Sequence, residues 1–341
     1  MNATILVTGY GGFLGRAICK DLLLRGYRVR GMARNRYLEL EHMGVECIRA
    51  SAVDSTACRQ ACRGVDAVIH TAALAGVWGA AHDYELANVV ATENMLEASQ
   101  QHRVKAFIYT SSPSVTFDGR AQQNVNEEAP YPTHWLCHYP RTKAIAERKV
   151  LESNQPQLAT CSLRPHLIWG VGDPHLIPRV IARCKAGRLR RVGSGTNWID
   201  TVHVDQAAVA HRLALERLLD QDTQASGRAY FITDGTPVKC WDWITTILQS
   251  AGLRPPSKCI SLKAAYRLGA CMELVYRMAR IQSEPPMTRF VALQLGLDHH
   301  FDIASAKKKL GYCPISDRGE RIAQLSKDKL VCELTQGKND A

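Results

Sequence analysis

The sequence predicts an α/β fold: a doubly wound parallel sheet with a smaller, mostly helical C-terminal lobe. Three observations predict it. Apolar strand runs alternate with helical patterns over residues 1–165, a glycine-rich turn follows the first strand, and the alternation loosens after Arg164. Such alternation builds right-handed βαβ units and a parallel sheet.

The elements follow in order. Thr4-Ile5-Leu6-Val7 is a short β-rich run that ends in glycines, and residues Arg16 to Arg25 repeat apolar groups at helical spacing. Strands are expected from Arg28 to Met32, around Glu46 to Ile48, and from Ala67 to His70. A helix from about Tyr84 to Gln101 leads to a fifth strand, Ala106-Phe107-Ile108-Tyr109. Another helix opens near Tyr139, and a sixth strand ends at Leu163. Beyond it Pro165, Pro174, Pro178, Pro237, Pro255, Pro256, Pro285 and Pro286 punctuate the pattern. A helix from about Asp205 to Leu219 and a strand from Ala229 to Thr233 are expected to return to the sheet layer. The expected organisation is a dinucleotide-binding domain of Rossmann type at 1–165, rejoined by 203–235, a second lobe at 166–202 and 236–330, and a tail at 331–341.

Composition narrows the function. The chain has 341 residues, 46% of them hydrophobic, and 43 Lys+Arg against 32 Asp+Glu, a formal net charge of +11. That excess favours anionic partners. No helix-turn-helix, zinc-finger or RNP-like motif is present, which argues against nucleic acid. The 12 cysteines form no framework, and Cys58 and Cys62 lack metal-ligand partners. They read as free thiols of a reducing cytosol. The first residues enter a strand pattern without a signal-like segment, and no run of about 18 apolar residues spans a bilayer. The expected location is cytoplasmic, with membrane association left open.

Thr8-Gly9-Tyr10-Gly11-Gly12-Phe13-Leu14-Gly15 lies between the first strand and the first helix. Gly9, Gly12 and Gly15 allow a tight turn, close approach of backbone to a pyrophosphate, and helix–strand contact. An NAD site expects an acidic residue about 20 residues further on, to hold the ribose 2′-hydroxyl. Ala33-Arg34-Asn35-Arg36 stands there instead. No carboxylate would repel a 2′-phosphate, and Arg34 and Arg36 could pair with one. NADP(H) is therefore favoured over NAD(H).

Tyr139 and Lys143 are four residues apart at the start of a helix and share one face. An ammonium near a phenol stabilises phenolate, so Lys143 is expected to lower the pKa of Tyr139 from its usual value of about 10. Tyr139 could then exchange a proton with a carbonyl or alcohol oxygen. Tyr109-Thr110-Ser111-Ser112 ends the fifth strand, where open α/β sheets bind ligands. Ser112, with Ser111 in reserve, could hydrogen-bond the reacting oxygen.

These residues together resemble the extended short-chain dehydrogenase/reductases. The match runs from residue 3 to about residue 315. Its pieces are the glycine loop, His70-Thr71-Ala72-Ala73, Asn88-Val89-Val90-Ala91-Thr92-Glu93-Asn94, Tyr109-Thr110-Ser111-Ser112, the Tyr139–Lys143 pair and Leu163-Arg164-Pro165. The resemblance implies a catalytic set of Ser112, Tyr139 and Lys143, with Tyr139 and Lys143 also counted among the cofactor-binding residues and Lys143 holding the nicotinamide ribose. It implies that Asn88 supports a water or backbone link to Lys143, that Tyr10, Phe13 and Leu14 belong to the cofactor loop, that Ala72 lines the cofactor, and that Pro165 and His166 lie by the nicotinamide. Ser51 departs from the pattern, which often has an Asp there to contact adenine. Within the family the chain is similar to the 3β-hydroxysteroid dehydrogenase-like branch, through Arg164 to Pro178, Ala75-Gly76-Val77-Trp78-Gly79 and Glu284-Pro285-Pro286-Met287-Thr288-Arg289. These segments resemble the bacterial 2-alkyl-3-oxoalkanoate reductases of olefin biosynthesis, and a homodimer is a further family expectation.

The second lobe suits a hydrophobic, acyl- or sterol-like substrate. Residues Tyr266 to Ile281 carry Leu268, Met272, Leu274, Val275 and Met278 among Arg267, Arg277 and Arg280. Such a helix can line an acyl pocket, rest on a membrane or pack on its own core. Arg179 and Arg289 could face a substrate carboxylate, and Trp78, His134, Trp135 and Trp198 could wall the pocket. His203-Val204-Asp205 has no elbow serine to complete a triad, and Asp205 is expected to cap the helix that follows. His299 and His300 are adjacent and would point apart, so no metal site is expected. Four readings follow: an NADPH-dependent reductase of a hydrophobic 3-oxo acid, a 3β-hydroxysteroid dehydrogenase, a nucleotide-sugar epimerase or dehydratase, and an NADP-binding sensor without turnover.

Overall fold

A computed structural model describes residues 3–315, 317–328, 331, 334 and 335. Of the expected tail, 331–341, only Val331, Leu334 and Thr335 are among them, and Val331 is buried.

Seven strands form one sheet: β1 (Thr4–Thr8), β2 (Arg28–Ala33), β3 (Glu46–Arg49), β4 (Ala67–His70), β5 (Ala106–Thr110), β6 (Ala159–Pro165) and β7 (Arg228–Ile232). Their order is β7-β6-β5-β4-β1-β2-β3, and every pair is parallel. All residues of β1 and β4 are buried, as continuous apolar runs covered on both faces require. The strand order reverses between β1 and β4, and this switch point opens a crevice at the carboxyl ends of the strands.

Helix α1 (Phe13–Leu24) buries Leu14, Ile18, Cys19 and Leu22, the spacing of one helical face. It packs on α4 (Val204–Leu219), so this late helix covers the same sheet face. The opposite face carries α2 (Ala91–Gln101) and α3 (His138–Glu152). The second lobe has its own core, including Trp169, Ile177, Ile181, Trp241, Ile244 and Leu248. It also includes α5 (Leu262–Met278).

Two local expectations are corrected. The segment expected as one helix from Tyr84 to Gln101 is a short α turn at Ala81–Tyr84, a π-helical stretch at Glu85–Val90, and then α2. A single π turn shifts the register without erasing the apolar pattern. Asp205 does not cap α4: the cap is His203, whose imidazole accepts from the Asp205 N–H at 3.3 Å. The Asp205 carboxylate turns outward to Arg321 at 3.2 Å. The mostly helical second lobe also holds short strands: Val238–Lys239, Trp198–Ile199 and His299–Phe301 join Gln122–Val125 in a four-stranded sheet. Strands of two to four residues are too short to show a periodicity.

Candidate active site

A cleft of 840 Å³ lies over the carboxyl ends of β1, β4 and β5 and reaches from the glycine loop to Tyr139 and Lys143. The loop itself dictates tight packing. Gly9 holds φ +67°, a region open to glycine, and its N–H donates to the Met32 carbonyl at 2.8 Å. A Cβ on Gly15 would sit 2.3 Å from the Gly9 carbonyl oxygen. Helix α1 starts at this loop with no side-chain cap and no acidic residue in its first turn. Its free N–H groups suit an anion. Gly12, Phe13, Leu14 and Gly15 line the cleft, as does Ala72, whose N–H donates to the Thr8 hydroxyl at 3.2 Å.

Tyr10 is placed differently from expectation. It is buried beneath the loop, edge-on to Tyr37 with ring centres 5.3 Å apart. A Cβ on Gly31 would strike its ring at 2.5 Å, so Tyr10 and Gly31 interlock β2 with the loop. Arg34 lines the cleft and is exposed. Arg36 does not line it: Glu41 grips its guanidinium at 2.6 Å through both oxygens. Ser51 lines the cleft where an adenine-binding acid was expected.

Tyr139 stands in the first turn of α3, and Lys143 follows one turn later on the same face. Lys143 is 2% exposed. Its ammonium donates to the Thr110 carbonyl and lies 4.1 Å from the centre of the Tyr109 ring. Burial draws its pKa down to about 7, against the pull of the Glu147 carboxylate one turn further on. The expected lowering of the Tyr139 pKa is reversed. Desolvation pushes it up to about 12, with Ser112 as the influence that lowers it. The Lys143 ammonium is engaged by the Thr110 carbonyl. Ser112 caps the turn at Pro113–Thr116 and meets the Ser114 hydroxyl at 2.9 Å, while Ser111 is buried.

Asn88 bonds to Thr142, the residue before Lys143. Its amide accepts from the Leu74 N–H at 2.7 Å and donates to the Leu74 carbonyl at 3.1 Å and the Thr142 hydroxyl at 3.0 Å. It therefore ties the cleft wall to α3 beside Tyr139 and Lys143. Pro165 lines the cleft, but His166 is buried behind it, bonded to the Asp200 carbonyl at 2.6 Å and to His299 at 3.1 Å. Among the described residues no cluster of three or more His, Cys, Asp or Glu could hold a metal.

One cluster escaped the sequence reading. Glu147 is fully buried and receives Arg164 at 2.6 Å, the Tyr131 hydroxyl at 2.8 Å and the Ser162 hydroxyl at 2.7 Å. The signal was available in part, since Glu147 follows Lys143 by one helical turn and Arg164 sits in the Leu-Arg-Pro run. The arginines expected for a substrate carboxylate are also matched: Arg179 with Glu284 at 3.0 Å, and Arg289 with Glu273 at 2.7 Å. Trp78, His134, Trp135 and Trp198 lie outside the cleft lining.

The arrangement can hold a dinucleotide and pass a proton between a buried phenol and a bound oxygen. The model of the 3-beta hydroxysteroid dehydrogenase/isomerase family matches residues 6–264. The chain is 43% identical over 326 residues to a 2-alkyl-3-oxoalkanoate reductase of Shewanella oneidensis, covering 94% of this chain and 84% of that protein. It is 44% identical over 314 residues to one of Stenotrophomonas maltophilia, covering 91% and 94%. The solved structure of MoeE5 in complex with UDP-glucose and NAD shares the fold, with a TM-score of 0.72, 25% identity, and coverage of 95% and 98%.

Proposed function

The chain belongs to the 3-beta hydroxysteroid dehydrogenase/isomerase family and is an NAD(P)-dependent oxidoreductase of the extended short-chain type; from that premise we propose that it uses NADPH to reduce the ketone of a 2-alkyl-3-oxoalkanoate to the secondary alcohol. The observation that carries this reading is a single cleft whose wall holds Tyr139 and Lys143 on one face of α3, opposite a glycine loop suited to a dinucleotide.

The cofactor fits the residues present. The Gly9–Gly15 turn has no room for a Cβ at its closest point, and α1 offers uncapped N–H groups to the pyrophosphate. When bound, the dihydronicotinamide supplies the hydride. Tyr139 remains neutral at physiological pH and so has a proton to give. An alkoxide is a stronger base than a phenolate, so transfer from Tyr139 to the developing alkoxide is downhill. Ser112 orients the carbonyl oxygen towards the phenol. Lys143, buried and near neutrality in pKa, holds an exchangeable proton in the same wall and is placed to grip the ribose.

The state of Lys143 sets the pH dependence. Reduction takes up a proton, so kcat/KM is level at acidic pH and falls as pH rises through about 7. A steady-state pH profile checks this. In Lys143→Arg, whose guanidinium stays charged, the residual activity loses that inflection.

Arg34 carries the preference for the 2′-phosphate. Charge-assisted hydrogen bonds contribute about 1.5–3 kcal/mol, so Arg34→Ala raises KM for NADPH by about tenfold or more and leaves KM for NADH nearly unchanged. Arg36→Ala spares both, because Glu41 already holds that guanidinium. Steady-state titration of each cofactor reads the difference.

The substrate is tested with a panel of 2-alkyl-3-oxoalkanoates, 3β-hydroxysteroids and UDP-sugars, each with NADP(H) and NAD(H). Oxidation of NADPH with the branched 3-oxo acids is expected. Turnover confined to hydroxysteroids or UDP-sugars would overturn the reading, as would tight NADP binding without turnover.

A further inference from the structure

Helix α5 has one face packed and one face bare. The packed face buries Ala265, Gly269 and Glu273. A Cβ on Gly269 would lie 2.6 Å from the Thr288 carbonyl carbon, so the helix seats closely on the segment beneath it. The bare face carries Leu268, Leu274, Val275 and Met278, with Ile281 just past the helix end. Their exposures are 41%, 59%, 57%, 77% and 38%. Positions 268, 271, 274, 275 and 278 form one stripe at helical spacing. Exposed single hydrophobics are ordinary. Five within 14 residues are not, and no other segment of that length among the described residues gathers more than two.

The charge along this face has one sign. Lys263, Arg267, Arg277 and Arg280 are exposed, and no exposed residue from 262 to 283 is acidic. Glu273 is turned inward and ion-paired to Arg289 at 2.7 Å. Trp78 adjoins the stripe: its indole N–H donates to the Ile281 carbonyl at 3.1 Å, its ring meets Tyr276 at 6.1 Å, and Arg277 lies over it at 5.8 Å.

We infer that this face, the outer side of α5 with Ile281 and Trp78, docks on an anionic phospholipid surface. An apolar stripe enters the acyl boundary, while long basic side chains beside it reach the phosphates. The helix lies in the interface and does not cross it, since no helix among the described residues is long and apolar enough to span a membrane. A second copy is a poor occupant. A two-fold contact would bring the face carrying Arg267, Arg277 and Arg280 against a face carrying the same three arginines. The inference stands without the proposed reaction and does not depend on which ketone is reduced.

The full chain is mixed with vesicles of phosphatidylcholine alone, or of phosphatidylcholine with phosphatidylglycerol, and sedimented at low and high salt. Binding is expected on the anionic vesicles, weakening with salt and falling to a trace on the neutral ones. Leu274→Glu/Met278→Glu is expected to lower the partition coefficient by at least about tenfold, and Arg267→Gln and Arg280→Gln by about fivefold each. The substituted side chains are exposed, so thermal melting and turnover without vesicles stay at the parent level in each variant. Wild-type protein left in the supernatant with anionic vesicles would overturn the inference, and so would a double variant that binds as well as the parent. A parent dimer that Leu274→Glu/Met278→Glu splits into monomers would also overturn it, because the face would then belong to a second copy.

Discussion

Tyr139→Phe is expected to lower kcat for ketone reduction by about 10³-fold, within the 10²–10⁴-fold range of a positioned proton donor. The substitution removes one oxygen and leaves the ring, so α3 keeps its packing. Neither the glycine loop nor Arg34 touches that oxygen. NADPH affinity should therefore stay within about twofold of the parent, and the loss appears in the chemical step. Steady-state kinetics paired with a fluorescence titration of NADPH separates the two. A phenol drawn towards ionisation would be expected to favour the oxidative direction. The Tyr139 hydroxyl, raised to about 12 by burial, is poised to donate, and its loss should lower kcat/KM for reduction and for the reverse oxidation by the same factor.

Arg164→Met is expected to destabilise the fold by about 3–5 kcal/mol, as removal of one partner from a buried ion pair does. Arg164 and Glu147 are 3% and 0% exposed at their side chains and meet at 2.6 Å. Without the guanidinium, Glu147 keeps the Tyr131 and Ser162 hydroxyls but loses the only cation in direct contact with it among the described residues. For a chain of this size the midpoint of thermal unfolding should fall by roughly 10 °C. The double variant Glu147→Leu/Arg164→Met should recover much of that loss, since it leaves no orphaned charge. Melts of the parent, both single variants and the double variant give the coupling between them. The single variant Arg164→Met also exposes Lys143 to an unshielded carboxylate. Its pKa should rise, and the alkaline fall in activity should move to higher pH.

Much of this architecture was legible from residue order. Strands β1, β4 and β5 are short, largely apolar runs and β2 alternates Arg28 and Arg30 with buried residues, and each lies within a residue of where the pattern put it. The Tyr139–Lys143 pair was legible because four residues make one helical turn. What escaped depends on partners far along the chain. Arg34 and Arg36 look alike in sequence, and only the short helix at Leu38–His42 brings Glu41 back to take one of them. Glu147 and Arg164 sit on a helix and a strand, and their meeting follows from how α3 lies across β6. His166 looked like a nicotinamide neighbour because it follows Pro165. The chain turns at that point, and its ring goes to Asp200 and His299 instead. The sign of the Tyr139 shift escaped for a related reason: spacing shows that an ammonium is near but not that a carbonyl has taken it.

The most direct test is a crystal structure of the chain with NADP⁺ and a 2-alkyl-3-hydroxyalkanoate product. The expected result is the product's C3 hydroxyl within hydrogen-bond reach of both Tyr139 Oη and Ser112 Oγ, with its C3 facing the nicotinamide ring. A nicotinamide lodged away from Tyr139, or a Tyr139 hydroxyl directed into solvent, would contradict a proton passed from this residue to the substrate.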